Sequence, residues 1–258
     1  MGRELLRIHD VTKSFGRGRS TVLESVNMVV ETGSILGLVG ETGHGKTTLA
    51  RIIIGLEKAD RGKVVFRGEV LPVLAKRHFD DCASMQYIFQ DPYAALEAES
   101  SVEQVLGEAV RLCRNHRRTS ILTPAEALEA VGLGDYQGWR KRKVGSLSGG
   151  QRQRLSIARA LIPRPELIIA DEATSMLDLH SGLEIAEVFQ KINREHGTTF
   201  IVISHQLDII KRICTEVAVL HSGSIAEQGV TSSVVESAKD PYVNQLMRAM
   251  EFFSGGIS

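Results

Sequence analysis

Cysteine is scarce in this chain: Cys82, Cys113 and Cys214 are the three in 258 residues, widely spaced and without a CxxC pair. That pattern excludes a disulfide-stapled scaffold and argues against a zinc or iron–sulfur centre, leaving core or surface thiols in a reducing compartment. An excess of one charge is also missing, since 31 lysines and arginines face 31 aspartates and glutamates with no long single-sign block. The composition therefore carries no broad footprint for nucleic acid, none is expected as a partner, and any polyanion site has to be local. No apolar run approaches the ~20 residues that span a bilayer, and the opening MGRELLRIHD holds no apolar signal core. Any tie to a membrane is accordingly expected to run through a partner. Solenoid or propeller repeats and low-complexity tracts are absent as well. What is present, at 43% hydrophobic, can bury a real core in one large domain, or in one domain carrying an inserted subdomain.

The first third reads as short strands over Leu6 to Val11, Val26 to Glu31 and Ile35 to Val39, the last followed abruptly by glycines and a helix from Lys46 to Ile54. After a strand at Met85 to Phe89 the texture turns helical. It includes Val102 to Cys113 and a helix opening at Thr123, where Pro124 and Glu126 supply a first-turn proline and a capping-box acid. A further helix is expected from Ser148, with Gln151 three residues on. Buried-strand patterns return at Leu167 to Ala170, Phe200 to Ile203 and Val217 to Leu220, around an amphipathic helix carrying Ile185, Val188, Phe189 and Ile192. The middle, roughly 91 to 147, reads as a helical insertion in an α/β core.

Residues 40 to 47, Gly-Glu-Thr-Gly-His-Gly-Lys-Thr, fit GxxxxGK[ST] between a buried strand and a helix. The glycines let successive N–H groups converge on phosphate oxygens, and the helix N-terminus adds a favourable field. Gly40, Glu41, Thr42, Gly43, His44, Gly45, Lys46, Thr47 and Thr48 are thus the candidate cradle. Lys46 supplies a point charge for β and γ phosphates, and Thr47 a hydroxyl for Mg²⁺. His44 reads as a solvent-facing loop residue contributing its backbone, or as a proton-dependent charge near the phosphates. The apolar strand Leu167 to Ala170 ends in Asp171 and Glu172. An acid at such a strand tip can hold Mg²⁺ through its water shell, the role of Asp171, while Glu172 can polarise an attacking water.

Residues 147 to 151, Leu-Ser-Gly-Gly-Gln, resemble the signature motif of the ABC (ATP-binding cassette) ATPases. Ser148 suits an N-cap, and Gly149 and Gly150 leave helix amides bare for a phosphate, with Gln151 beside them. The resemblance implies two cassettes head to tail, each signature closing over ATP held by the other's loop. It also implies further roles: Phe15 as the aromatic stacking on adenine, although an aromatic before Gly16 also suits core filling; Gln90 as the glutamine contacting Mg²⁺ and water; Ser175 to Asp178 as the D-loop, with Met176 where many members have alanine; His205 as the switch histidine. Ala173 stands where the family often has proline, which alters loop stiffness and removes no functional group.

The stretches Gln90-Asp-Pro-Tyr-Ala-Ala-Leu and Asp240-Pro-Tyr-Val-Asn-Gln-Leu are similar to those of the peptide and nickel importer branch. The resemblance covers about residues 5 to 229 and implies a RecA-like P-loop core with an N-terminal antiparallel layer. The ABC ATPase domain is expected over residues 1–230, with a helical subdomain at about 91–165 and a short helical extension over 231–258. It further implies ATP hydrolysis with Mg²⁺, peripheral attachment at the cytoplasmic face, transmembrane permease subunits, a second ATPase subunit of the same or a homologous chain, and a solute-binding protein outside. A DNA-repair or chromosome-structuring ATPase would place a long coiled coil between loop and signature, whereas the 102 residues from Lys46 to Ser148 hold no sustained heptads. A translation-associated factor would carry two cassettes in one chain. A subunit that binds ATP without turning it over is disfavoured by Glu172.

Overall fold

Long antiparallel strands open the chain in the computed structural model, which describes residues 2–16, 20–73, 76–91 and 95–254. Strands β1 (Glu4–Phe15), β2 (Ser20–Glu31), β4 (Arg61–Phe66) and β5 (Glu69–Val70) form a sheet in the order β2-β1-β4-β5. Its register follows the hydrophobic alternation: Leu6 pairs with Val30 and Phe66, and Ile8 with Met28 and Val64. All of these are buried, so a slip of one residue would turn the whole apolar set to water. Strand β2 begins six residues earlier than its apolar pattern suggests, because exposed Ser20 and Thr21 and the exposed pair Glu24 and Ser25 on either side of buried Leu23 leave no alternation to read.

Contacts divide the chain into two compact units, Met1–Arg77 with Ile201–Ser258, and His78–Phe200. In the first, β3 (Ile35–Val39) is wholly buried and runs parallel to β9 (Glu216–His221), which pairs antiparallel with β10 (Ser224–Val230). A strand buried on both faces has no alternation, which is why β3 reads as a plain apolar run. Helix α1 (Lys46–Ile54) follows the glycine loop, and α8 (Leu207–Ile213), α9 (Thr231–Ser237) and α10 (Pro241–Ser254) come from the C-terminal part of the unit.

In the second unit α2 (Phe79–Ser84) leads into β6 (Met85–Ile88), which runs parallel to β7 (Leu167–Asp171) with Met85 opposite Leu167 and Ile88 opposite Ala170. Between these strands lie α3 (Val102–Asn115), α4 (Pro124–Ala130), α5 (Tyr136–Trp139) and α6 (Gly149–Leu161), and α7 (Leu179–His196) follows. Strand β8 (Thr199–Ile203) carries the chain back into the first unit. The architecture is the mixed α/β one expected, with an antiparallel layer, parallel strands and inserted helices. Cys113 and Cys214 are core thiols and Cys82 is half-buried; burial pushes the Cys214 thiol up to about 12.

Candidate nucleotide site

Strand β3 delivers the chain to Gly40, where only glycine fits: φ is +148°, and a Cβ would lie 2.2 Å from the Leu220 carbonyl oxygen. Gly45 caps α1 at φ +101°, and a Cβ there would meet the Val22 carbonyl at 2.9 Å. These steric demands, rather than flexibility, explain the glycines. Lys46 opens the helix 6% exposed, and its Nζ donates to the carbonyls of Gly40 (2.7 Å) and Glu41 (2.8 Å). An ammonium curled over its own loop sits beside the bend the glycines create. Glu41, Thr42, Gly43 and Thr47 are exposed and Thr48 is half-buried.

His44 is half-buried, with its ring packed within the first unit. Its Nε2 lies 3.3 Å from the Glu41 carboxylate, and its ring meets the His221 ring edge-on at 5.5 Å. Phe15 ends β1 at 42% exposure, which removes the core-filler alternative, and Lys13 Nζ lies 4.8 Å from its ring centroid. His205 is exposed just beyond β8.

The second unit places the acid pair at the tip of β7. Asp171 is 5% exposed and accepts a short hydrogen bond from Tyr87 Oη. Glu172 takes up φ +48°, a left-handed backbone that a side chain tolerates poorly. Gln90 Nε2 donates to Glu172 Oε2 (3.0 Å) and to Ser175 Oγ (3.3 Å), while Ser175 Oγ donates to the Glu172 carbonyl (2.9 Å). Gln90, Glu172 and Ser175 therefore form one cluster, although they belong to three separate sequence motifs. Tyr87 was not anticipated; a tyrosine in a short, largely apolar strand was the available signal, because its hydroxyl needs a partner.

Ser148 caps α6 with a reciprocal pair of bonds, its Oγ accepting from Gln151 N (3.3 Å) and its N donating to Gln151 Oε1 (3.1 Å). Gly149 and Gly150 occupy the first turn without side chains. Behind them, Arg152 is 6% exposed and donates to the Leu147 carbonyl, holding the helix start. In the stretch from Ser175 to Asp178, Met176 is 56% exposed, and the bond from the Ser181 backbone holds the Asp178 carboxyl below the usual range. Pro92, Tyr93 and Ala94 of the QDPYAAL stretch lie outside the described residues.

The oxygen donors Thr47 and Asp171 are hard ligands of the kind Mg²⁺ takes. Among the described residues no three histidines, cysteines or acids gather as a metal cage.

A strand, glycine loop and lysine-headed helix, together with a buried strand ending in two acids, define a phosphate-loop nucleotide enzyme. The ABC transporter family model matches residues 23–175. The chain is 34% identical over 255 residues to the oligopeptide transport ATP-binding protein OppF of Streptococcus mutans, covering 96% of this chain and 82% of that protein. To the methionine import ATP-binding protein MetN of Corynebacterium diphtheriae it is 38% identical over 249 residues, covering 94% and 70%. The solved structure of cbiO1 from Clostridium perfringens, part of the ABC transporter complex cbiONQ, matches with a TM-score of 0.78 at 26% identity, over 98% of this chain and 99% of that one. This chain belongs to the ABC transporter family as an ATP-binding subunit of its importer branch, and it is an ATPase.

Proposed function

We propose that this subunit hydrolyses ATP with Mg²⁺ to drive uptake of a small peptide, nickel or a metal chelate, as half of an ATPase dimer seated beneath permease subunits at the cytoplasmic face. The observation that carries the catalytic part is the hold on Glu172 next to buried Asp171: Gln90 Nε2 donates to its carboxylate, and Ser175 Oγ donates to its backbone carbonyl at a strained φ. A carboxylate held by a donor from another motif, on a backbone itself anchored, is pre-organised to orient water rather than free to wander.

The loop amides and Lys46 bind the β and γ phosphates, Phe15 offers its exposed ring to adenine, and Thr47 and Asp171 hold Mg²⁺, with Gln90 alongside. The metal, when bound, supplies charge neutralisation at the phosphates. Glu172 accepts a proton from the attacking water, and His205 addresses the γ-phosphate. Ser148, Gly149, Gly150 and Gln151 serve the ATP of the second subunit, and a solute-binding protein delivers cargo on the far side. No helix among the described residues is long and apolar enough to cross a membrane, which suits attachment through partners.

The test is ATP binding by Lys46→Ala, measured by calorimetry in the presence of Mg²⁺. Deleting the charge should abolish measurable binding and turnover; unchanged binding would remove the loop from the site. A second reading, uptake of an amino acid, draws on the 38% identity to a methionine importer.

A further inference from the structure

The DPYVNQL stretch has no part in the chemistry above, yet it ends on the phosphate loop. Helix α10 begins in a turn fixed from two sides. Glu227 on β10 accepts from the backbones of Lys239 (2.9 Å) and Asp240 (3.1 Å), and Asp240 Oδ1 accepts from Tyr242 N (2.8 Å) and Val243 N (3.2 Å). Val243 and Met247, 0% and 1% exposed, seat the helix, and Lys211 pairs with Glu251 further along it. The Tyr242 ring is thereby aimed at β9, where it stacks on His221 at 3.5 Å between centroids and 29° between planes. His221 in turn meets the His44 ring at 5.5 Å, and His44 Nε2 reaches the Glu41 carboxylate at 3.3 Å. Three rings thus link the first turn of α10 to two residues of the loop that holds Lys46.

The stack is not built for stability alone. His221 Nδ1 and His44 Nδ1 are each buried without a hydrogen-bond partner among the described residues, and each such atom opposes folding. Burial, with the charge and the hydrogen bonding of the Glu41 carboxylate adding to it, pushes the Tyr242 phenol up to about 12. Apolar side chains would fill the same space without that cost. What polar-edged flat rings add is orientation, because a stack and an edge contact fix the planes of His221 and His44.

We propose that α10 is a strut that positions the phosphate loop, with Tyr242 as the positioning residue acting through His221 and His44. The inference rests on the reading of this loop as the ATP site. Without the stack, His44 and Glu41 lose their backing, and the loop amides no longer start in phosphate-binding geometry. Ordering them then has to be supplied by ATP itself, which weakens binding while leaving the bound complex able to react.

The experiment compares Tyr242→Ala, Tyr242→Phe and the parent, full chain, by ATP affinity and by KM and kcat. Tyr242→Ala should raise Kd and KM for ATP about ten-fold with kcat within about two-fold, and Tyr242→Phe, which keeps the stack, should stay within about two-fold of the parent. A purely structural role would lower the active fraction, and so apparent kcat, without moving Kd. Should Tyr242→Ala fail to fold, His221→Leu cuts the same chain at its middle ring with volume retained and is expected to weaken ATP in the same way. Parent-like affinity in the ring-deleting variant overturns the strut, as does equal loss in Tyr242→Phe. A parent protein that binds no ATP, indistinguishable from Lys46→Ala, overturns the nucleotide reading beneath it.

Discussion

Glu172 is held where a side chain does not normally rest, at φ +48°, a conformation that costs about 1–3 kcal/mol and persists only when its surroundings impose it. The bonds from Gln90 and Ser175 supply that constraint, so the residue is expected to matter through its charge as well as its place. Glu172→Gln keeps shape and hydrogen-bonding capacity and removes the charge. It should lower kcat by about 10²- to 10⁴-fold with ATP affinity largely kept, as steady-state kinetics beside calorimetry will show. Near-normal hydrolysis would take Glu172 out of the mechanism. At this scale the motifs were legible as residue types: the lysine, the acid pair, the glutamine. The pairing of Gln90 with Glu172 was not, because 82 residues separate them and no local pattern encodes which donor a carboxylate meets. Nor was the fate of His44, whose ring meets that of His221 from a distant part of the sequence.

Helix starts were the most readable elements. Thr123, Pro124 and Glu126 form the capping box their order suggests, and Ser148 with Gln151 does the same. A third box, Ser101 with Gln104, opens α3 from the same local signal. These two serines separate stability from function. Ser148→Ala and Ser101→Ala should each cost about 1 kcal/mol, seen as a Tm loss of roughly 2–4 °C. Only Ser148→Ala should also impair ATP turnover, and equal activity in the two variants would confine Ser148 to capping. The elements that escaped notice share a cause. Strand β10 is half-buried at every interior position, β4 begins with three exposed residues, and β5 and α2 are very short. A period of two or 3.6 residues needs contrast between faces and enough length to repeat.

For the whole molecule, no helix among the described residues is long and apolar enough to cross a membrane, and the function proposed above couples ATP turnover to uptake through partner subunits. Removing this subunit from its cell should therefore abolish uptake of a labelled di- or oligopeptide, or of ⁶³Ni²⁺, and a plasmid copy should restore it while a Glu172→Gln copy should not. Retained peptide and nickel uptake with lost methionine uptake would instead favour the amino-acid reading, to which the likeness to MetN gives substance. The proposed site residues all serve the nucleotide, so the cargo is decided by the partner subunits rather than by these side chains.

The sequence by itself determined the parts that depend on near neighbours: the glycine loop with its lysine, the acid-ended strand, the capped signature helix, and the apolar alternation of β1 and of the inner half of β2. Each is a local pattern in which the chain meets its own requirement for φ, hydrogen bonding or burial within a few residues. Tertiary structure alone decided which distant groups meet. It placed Tyr87 on Asp171, Gln90 on Glu172, and the ring of Tyr242 on His221 beside the phosphate loop. Side-chain encounters of that kind follow from how strands are ordered and helices seated, and that order is settled by burial summed over the whole core rather than by any segment of it.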